Sequence, residues 1–218
     1  MNPTLIDPAT NREISTAYEI RLLGWTEEQF WAEAPEGRFC EFVDGEVIMP
    51  SPVDVDHQRI VGTLLFLLKG FCGRRGVGTV LSGPTAIRLR PGLAREPDLF
   101  VLARADGLRA TGSRIEACPF LVIEVAGHDS ERRDLVDKVS EYQAHGVQEY
   151  WVVLYQRKQV FQFRAGASGG DPVPTVSTAG RIVSVALPGF WIDADWLWSS
   201  SEVDGIERLK AVLGVETL

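Results

Sequence analysis

The chain has 218 residues, 45% of them hydrophobic, and a formal net charge of −8 at pH 7. This length and composition predict one substantial core in a single large domain. The acidic balance excludes a protein that coats nucleic acid with a uniformly basic surface, although a local basic groove is compatible with it.

The cysteines and the apolar runs predict the cellular compartment of the protein. The three cysteines are far apart and form no C-x-x-C pair, which argues against a disulfide framework and against a zinc site. We therefore expect buried thiols in a reducing cytoplasm. No signal peptide is recognisable, and the longest apolar run, residues 60–68, is interrupted by Gly62 and Thr63, so no membrane segment is predicted.

The first elements are predicted from capping and turn residues. Residues 1–23 are mixed and form a loose N-terminal arm. A helix begins after Thr26, where Thr26 and Gln29 make a capping box, and it ends at the Pro-Glu-Gly of residues 35–37. Asp44-Gly45 then predicts a tight hairpin, because this pair tolerates the positive φ values of a type I′ turn.

The later elements are predicted from hydrophobic spacing. Residues 56–71 indicate a largely buried helix that Gly70 or Gly73 stops. There follow strands 80–89, 98–102 and 120–125, a helix over 130–144, strands 150–155, 159–164 and 181–187, and polar loops at 103–117 and 165–174. The helix bracketed by strands makes a β-α-β unit, which favours a mixed sheet. The domain thus covers residues 24–198, followed by a C-terminal helical tail, 199–218.

Two carboxylates stand out because each lies in an apolar strand. Asp98 precedes the Leu-Phe-Val-Leu of residues 99–102, and Glu124 lies within the Leu-Val-Ile-Glu-Val of residues 121–125. An ionised carboxylate removed from water is costly unless a cation or hydrogen-bond donors compensate it. The pair therefore predicts a metal site, with a divalent cation as the leading candidate.

A lysine on the next helix completes a minimal catalytic set. Asp134, Lys138 and Tyr142 are spaced by four residues and stack along one side of that helix. At about 100° per residue, Lys138 lies about 60° from Leu135 at the centre of the apolar stripe, so it leans inward. Two carboxylates holding a hard cation, with a lysine near a bound water, are the minimum equipment for metal-assisted phosphodiester hydrolysis.

The order and spacing of these residues resemble the Uma-two family of restriction-endonuclease-like nucleases, which is similar to the PD-(D/E)xK superfamily. The resemblance spans residues 25–196, and its motifs are Glu41 before the hairpin, Glu96-Pro97-Asp98, Glu124 in its strand, Asp134 with Lys138 and Tyr142, and the run 146–153. It implies an α/β, restriction-endonuclease-like fold with a mixed central β-sheet flanked by α-helices.

The resemblance also implies roles for the site residues. Asp98 and Glu124 would be ligands of Mg²⁺ or Mn²⁺ together with the Val125 carbonyl, and Glu41 would be a further metal ligand acting through water. Lys138 would position the attacking water, replacing the lysine that simpler members carry two residues after the acid. The implied activity is endonucleolytic hydrolysis of nucleic acid, with DNA as the predicted substrate. A homodimer is expected, because cutting two strands needs two sites.

Departures from the family pattern leave other functions open. Ala126 occupies the E-x-K lysine position, and the usual Ser-Pro-Ser reads Gly-His-Asp-Ser at residues 127–130. The absent lysine and the acidic net charge favour a catalytically silent protein that keeps the nuclease fold as a binding scaffold. A metal-dependent hydrolase of a small phosphorylated molecule is the third alternative.

Other polar residues have mostly structural interpretations. His57 is interpreted as a helix-start residue, His145 as a helix-end residue, and Asp134 as a local partner of Lys138. His128 is a weaker candidate for catalysis, because its loop directly follows the Glu124 strand. The best candidates for contacting a nucleic-acid backbone are arginines near the site strands: Arg74, Arg75, Arg88, Arg90 and Arg95.

Overall fold

The computed structural model describes residues 6–7, 12–13, 18–34, 39–110, 112, 114–127, 130–165, 173–199 and 205–218. The strands are β1 (Ile6–Asp7), β2 (Arg12–Glu13), β3 (Glu19–Leu23), β4 (Glu41–Val43), β5 (Glu46–Pro50), β6 (Thr79–Ser82), β7 (Ala86–Arg90), β8 (Leu93–Arg95), β9 (Leu99–Leu102), β10 (Arg114–Ile115), β11 (Leu121–Ala126), β12 (Glu149–Leu154), β13 (Gln159–Arg164), β14 (Thr175–Ser177), β15 (Arg181–Val183) and β16 (Trp191–Asp193). The helices are α1 (Glu27–Glu33), α2 (Val55–Arg75), α3 (Arg104–Arg109), α4 (Lys138–Ala144), α5 (Asp195–Trp198) and α6 (Gly205–Leu213). A π-helical turn (Arg133–Asp137) leads into α4, and a 3-10 turn (Tyr155–Arg157) follows β12.

Two large mixed sheets organise these elements. The first has the strand order β14-β13-β12-β11-β9-β6, and the second has the order β10-β7-β8-β4-β5-β3. Among the described pairs, β11 with β12 and β10 with β7 are parallel, whereas their neighbours in the sheets pair antiparallel. The predicted α/β class is confirmed, with twelve of the described strands divided between two six-stranded sheets, while β1-β2 and β15-β16 form two-stranded sheets.

The predicted β-α-β unit supplies the centre of the first sheet. β11 and β12 pair in parallel with Glu124 opposite Val152, and the π-helical turn and α4 connect the two strands. All six residues of each strand are buried, as expected for parallel strands that are covered on both faces. Glu124 is therefore held in the middle of a strand that has no solvent-exposed face.

The long helix α2 runs through the two glycines that were predicted to stop it. Asp54 caps its start by accepting a hydrogen bond from the first turn, and Gly76 ends it at a φ of 67°. The predicted end at Gly70 or Gly73 is wrong. A Cβ at Gly70 would lie 2.4 Å from Leu209 Cδ2 of α6, so this glycine permits a close helix contact. That packing outweighs the cost of glycine inside a helix, about 1 kcal/mol.

The strand predicted over residues 80–89 is broken in the structure. Gly83 and Pro84 separate β6 from β7, and the two strands belong to different sheets. A Cβ at Gly83 would lie 2.4 Å from Phe39 Cε1, and proline cannot donate a hydrogen bond to a sheet. The predicted loop 103–117 contains α3 and β10, which hydrophobic spacing does not reveal because α3 buries none of its residues.

The predicted hairpin between β4 and β5 is confirmed. Asp44 and Gly45 form its turn with φ values of 45° and 100°. β3, from the stretch assigned to the N-terminal arm, pairs with β5 along five residues and so extends the second sheet. α6, from the stretch assigned to the C-terminal tail, packs on α2 through Leu209.

The cysteine prediction is correct in part. None of the three cysteines forms a disulfide, and Cys40 and Cys72 are buried, but Cys118, just before Pro119, is exposed. None of the helices in the described part of the chain is long and apolar enough to span a membrane.

Candidate active site

Asp98 and Glu124 lie side by side on neighbouring strands. Asp98 immediately precedes β9, whose antiparallel pairing with β11 places Leu99 opposite Ile123. The Asp98 backbone N–H lies 3.4 Å from Glu124 Oε2, and the Val125 N–H donates to Asp98 Oδ2 at 2.7 Å. Both residues are buried, with 9% and 4% of their surfaces exposed. The structure therefore brings together the two carboxylates that were paired from the sequence.

Lys138 reaches these carboxylates from the helix that follows β11. Its Nζ lies 2.7 Å from Glu124 Oε1, 2.9 Å from Glu41 Oε1 and 3.2 Å from Asp134 Oδ1. Lys138 donates a hydrogen bond to Glu124 and forms ion pairs with the other two carboxylates, and Asp134 Oδ1 has no hydrogen-bond partner among the described residues. The Tyr142 hydroxyl also donates to Glu124 Oε1, at 3.2 Å. The inward lean of Lys138 is found, and Asp134 contacts it as a local partner.

The π-helical turn explains why this helix directs polar side chains inward. Within it, hydrogen bonds run from residue i to i+5, and the Lys138 N–H bonds to the Arg133 carbonyl. Asp134 and Lys138 are buried, whereas Leu135, taken as the centre of the apolar stripe, is only half-buried. The spacing of about 100° per residue in a regular α-helix does not predict this shift of the buried face from Leu135 to Asp134 and Lys138. Single π-helical turns of this kind are frequent at functional sites.

Glu41 belongs to the same cluster, and each of its oxygens contacts a cation. Oε1 contacts Lys138, and Oε2 accepts a hydrogen bond from Arg95 Nη1 at 2.8 Å. Burial alone would raise the pKa of Glu41, but Lys138 and Arg95 together hold it well below its usual value. Glu41 is therefore an ionised partner of both cations.

Arg95 lies inside the cluster and not on a nucleic-acid-binding surface. It is 2% exposed, and besides Glu41 it donates to both oxygens of Glu141 at 2.7 Å. Its predicted contact with a nucleic-acid backbone is wrong, because two carboxylates distant in sequence bury and neutralise it. Arg88 also pairs with a carboxylate, that of Glu27.

Two further arginines of the predicted basic patch are engaged. Arg90 pairs with Asp44 at 2.7 Å, although its side chain remains 42% exposed. Arg75 donates to the last carbonyl of α6 at 3.0 Å. The predicted patch is therefore not a set of free cations beside the carboxylates.

His57 is a site residue whose side-chain contact was not predicted. Its N–H donates to Asp54 Oδ1 at 2.8 Å, which confirms the helix-start interpretation, but its buried ring places Nε2 3.2 Å from Asp98 Oδ2. A signal was present in the sequence, because His57 precedes Ile60 and Leu64 by three and seven residues. That spacing places it on the buried face of α2.

His145 does not contact the cluster. His145 lies at the end of α4, as predicted, with Nδ1 2.6 Å from the Glu141 carbonyl oxygen. His128, the weaker catalytic candidate, lies outside the described residues together with Asp129.

Carboxylates outnumber cations in the buried cluster. The carboxylates are those of Glu41, Asp98, Glu124 and Asp134, and the cations are those of Lys138 and Arg95 together with the partly buried Arg133, 4.0 Å from Asp134 Oδ1. Burial raises the pKa of Glu124, and the nearby carboxylates raise it further against the opposing effect of Lys138. Burial alone would lower the pKa of Lys138, but its carboxylate partners hold it above its usual value. The cluster therefore keeps a charged lysine and an unmet demand for positive charge.

Asp98 and Glu124 are the residues best placed to hold a metal ion. Asp98 Oδ2 has two hydrogen-bond partners, whereas none of the described residues bonds to Oδ1, and Glu124 Oε2 has only the 3.4 Å contact. Within the described ranges, no group of three or more His, Cys, Asp or Glu side chains could hold a metal. Mg²⁺ is commonly bound by one or two carboxylates, with waters and substrate oxygens completing its coordination. The donor set fits that mode of binding.

The fold is similar to that of a solved nuclease-like protein. A crystal structure from Anabaena variabilis ATCC 29413, described as a putative nuclease belonging to DUF820, matches with a TM-score of 0.69 at 13% sequence identity, covering 80% of this chain and 97% of that chain. The fold is therefore of the nuclease class. The sequence matches the Uma2 family, described as putative restriction endonuclease, over residues 27–195, and the chain belongs to this family. No curated protein matches it.

Proposed function

We propose that the protein is a metal-dependent endonuclease that hydrolyses phosphodiester bonds in DNA with Mg²⁺ or Mn²⁺. The observation that carries this proposal is the adjacency of Asp98 and Glu124 inside a buried cluster with more carboxylates than cations. Buried charge of one sign is costly, and a bound cation would offset that cost. Family membership and the nuclease fold support the same function.

The two strands hold the proposed metal ligands close together. Asp98 and Glu124 would bind the metal together with the backbone carbonyl of Val125. Glu124 and Val125 are consecutive in β11, and the Val125 N–H is bonded to Asp98, so all three groups belong to one rigid strand pair. When bound, the metal would polarise a phosphoryl oxygen and acidify a water.

Lys138 acts on this site through Glu124. Because its ammonium is hydrogen-bonded to Glu124 and paired with Glu41 and Asp134, the lysine orients Glu124 and balances the charge around it. Its longest contact, 3.2 Å to Asp134, is the one that would open if Lys138 were to position the attacking water. Glu41 supports Lys138 and Arg95, and it would reach a metal only through water.

A catalytically silent binding scaffold is the second candidate. Ala126 stands at the E-x-K lysine position, and the lysine that replaces it is occupied by three carboxylates. Such a scaffold would bind a divalent cation without cleaving DNA. Metal binding and cleavage must therefore be measured separately.

The proposed assembly is a homodimer in the cytoplasm. Cleavage of both strands of a duplex needs two sites, which a symmetric dimer would supply. The absence of a disulfide among the three cysteines supports a reducing compartment.

The test is nicking of supercoiled plasmid DNA in Mg²⁺ or Mn²⁺ by the wild type and by Glu124→Gln, which keeps the side-chain shape and removes the charge. Glu207→Gln, on the exposed face of α6, is the matched control. We expect metal-dependent nicking by the wild type and the control, and at least a hundredfold slower nicking by Glu124→Gln, roughly 3 kcal/mol of lost transition-state stabilisation.

Two outcomes would contradict the proposal. Absence of nicking by the wild type in both metals would exclude a DNA endonuclease and favour the silent scaffold. Equal nicking by Glu124→Gln and wild type would show that the cleavage arises elsewhere than at this cluster.

A further inference from the structure

The imidazole of His57 is directed at one of the two proposed metal-binding carboxylates. Its Nε2 lies 3.2 Å from Asp98 Oδ2, the oxygen that also accepts the Val125 N–H at 2.7 Å. Since an ionised carboxylate only accepts hydrogen bonds, Nε2 carries the proton in this contact. Both hydrogen bonds to Asp98 therefore fall on Oδ2, and none of the described residues bonds to Oδ1.

The ring is held firmly enough to act as a fixed support. His57 lies in the first turn of α2, where Asp54 Oδ1 accepts its N–H at 2.8 Å. The other Asp54 oxygen, Oδ2, accepts a hydrogen bond from the Tyr155 hydroxyl at 2.7 Å. The Tyr155 ring lies edge-on to the imidazole, with 6.5 Å between the ring centroids. Both the backbone and the ring of His57 are thus fixed by neighbours that do not touch Glu124.

The second ring nitrogen of His57, Nδ1, makes no stabilising contact with the described residues that would explain a histidine at this position. Nδ1 is buried and has no hydrogen-bond partner in the described part of the chain. An unpaired buried acceptor opposes folding, and such groups in native proteins call for another explanation. The contact with Asp98 is the one polar interaction that the described residues give this ring.

We propose that His57 is a positioning residue that fixes the Asp98 carboxylate, by its bond to Oδ2, so that Oδ1 faces the cation. This inference rests on the proposed function, because it assigns Asp98 to metal binding. Hydrogen bonds to ligating carboxylates orient them, and loss of such a partner typically weakens metal affinity by about 10–100-fold.

The test is direct Mn²⁺ binding, followed by the loss of the electron paramagnetic resonance signal of the free ion, together with thermal unfolding of each variant. His57→Leu removes the donor, whereas His57→Gln restores an N–H near the position of Nε2. Ile60→Val, one turn later on the same buried face of α2, is the control for loss of packing without loss of the donor.

We expect the dissociation constant for Mn²⁺ to rise about 10–100-fold in His57→Leu and to return close to the wild-type value in His57→Gln. Ile60→Val should lower the unfolding temperature and leave Mn²⁺ affinity unchanged. A merely structural histidine would instead make affinity follow the unfolding temperature in all three variants, which would overturn the inference.

Mn²⁺ binding by the wild type, Glu124→Gln and His57→Leu tests the metal site and the role of His57 separately. If the wild type binds Mn²⁺ and Glu124→Gln does not, but His57→Leu binds like the wild type, then His57 has no positioning role and the metal site stands. If the wild type does not bind Mn²⁺, the metal site and the role of His57 are both wrong.

Discussion

Replacing Lys138 by methionine should lower the free energy of unfolding more than removing any exposed charge does. The substitution leaves Glu124, Glu41 and Asp134 buried without the ammonium that lies 2.7–3.2 Å from each of them. Removing one partner of a buried ion pair costs about 3–5 kcal/mol. For a chain of this size, each kcal/mol lowers the unfolding temperature by about 2–4 °C, so the expected loss is roughly 6–20 °C.

The loss should also depend on pH in a defined direction. Without Lys138, the burial and carboxylate repulsion that raise the pKa of Glu124 lose the main charge that opposes them, so this pKa rises further. A carboxyl whose folded pKa exceeds its unfolded pKa favours folding less as pH rises between the two values. Because Glu124 ionises near pH 8 in the wild type and only at a higher pH in the variant, the deficit of Lys138→Met should be smaller near pH 6 than near pH 9.

Urea denaturation in a chelator, followed by the fluorescence of the six tryptophans, measures this effect. The control is Lys210→Met, whose ammonium contacts the exposed Glu207 at 2.7 Å and should contribute less than about 1 kcal/mol. A loss in Lys138→Met no greater than in the control, or one that grows on acidification, would refute the buried ion cluster.

Two further predictions concern stability. Gly70→Ala should destabilise by about 1–3 kcal/mol, because its Cβ would lie 2.4 Å from Leu209 Cδ2. A Cβ at Gly73 would meet nothing within 4 Å, so Gly73→Ala should stabilise the protein by up to about 1 kcal/mol. Equal melting temperatures of the two variants would contradict both predictions. Hydrogen bonding to Arg88 lowers the pKa of Glu27 to about 2, so this pair stabilises the fold fully above about pH 4.5 and loses that effect as pH falls toward 2. Glu27→Gln should therefore be less stable than the wild type at pH 7 and approach it near pH 3 in urea titrations.

Local features of the chain were sufficient to predict several elements and one pair of site residues. The Asp44-Gly45 turn and the capping box at Thr26 depend on neighbouring residues, and both are found in the structure. Asp98 and Glu124 could be paired because each accompanies an apolar strand, and these two strands are neighbours in one sheet. The position of Lys138 followed from helical spacing, although the π-helical turn changed which face is buried.

The remaining site contacts are long-range, so the sequence could indicate that a residue such as His57 is buried but not which residue it contacts. Arg95 resembles a surface arginine in the sequence, and only the meeting of three elements buries it between Glu41 and Glu141. His57 precedes Asp98 by 41 residues, so their contact depends on where α2 crosses the sheet. The division of residues 80–89 into two strands likewise depends on the approach of Phe39 to Gly83.

The most direct test of the cation site is a crystal structure of the protein grown with Mn²⁺, with anomalous scattering used to locate the ion. A cation held by both residues would give a peak within about 2–2.5 Å of carboxylate oxygens from Asp98 and Glu124. A fully loaded crystal with no peak between these two residues, or with its peak elsewhere, would contradict the account.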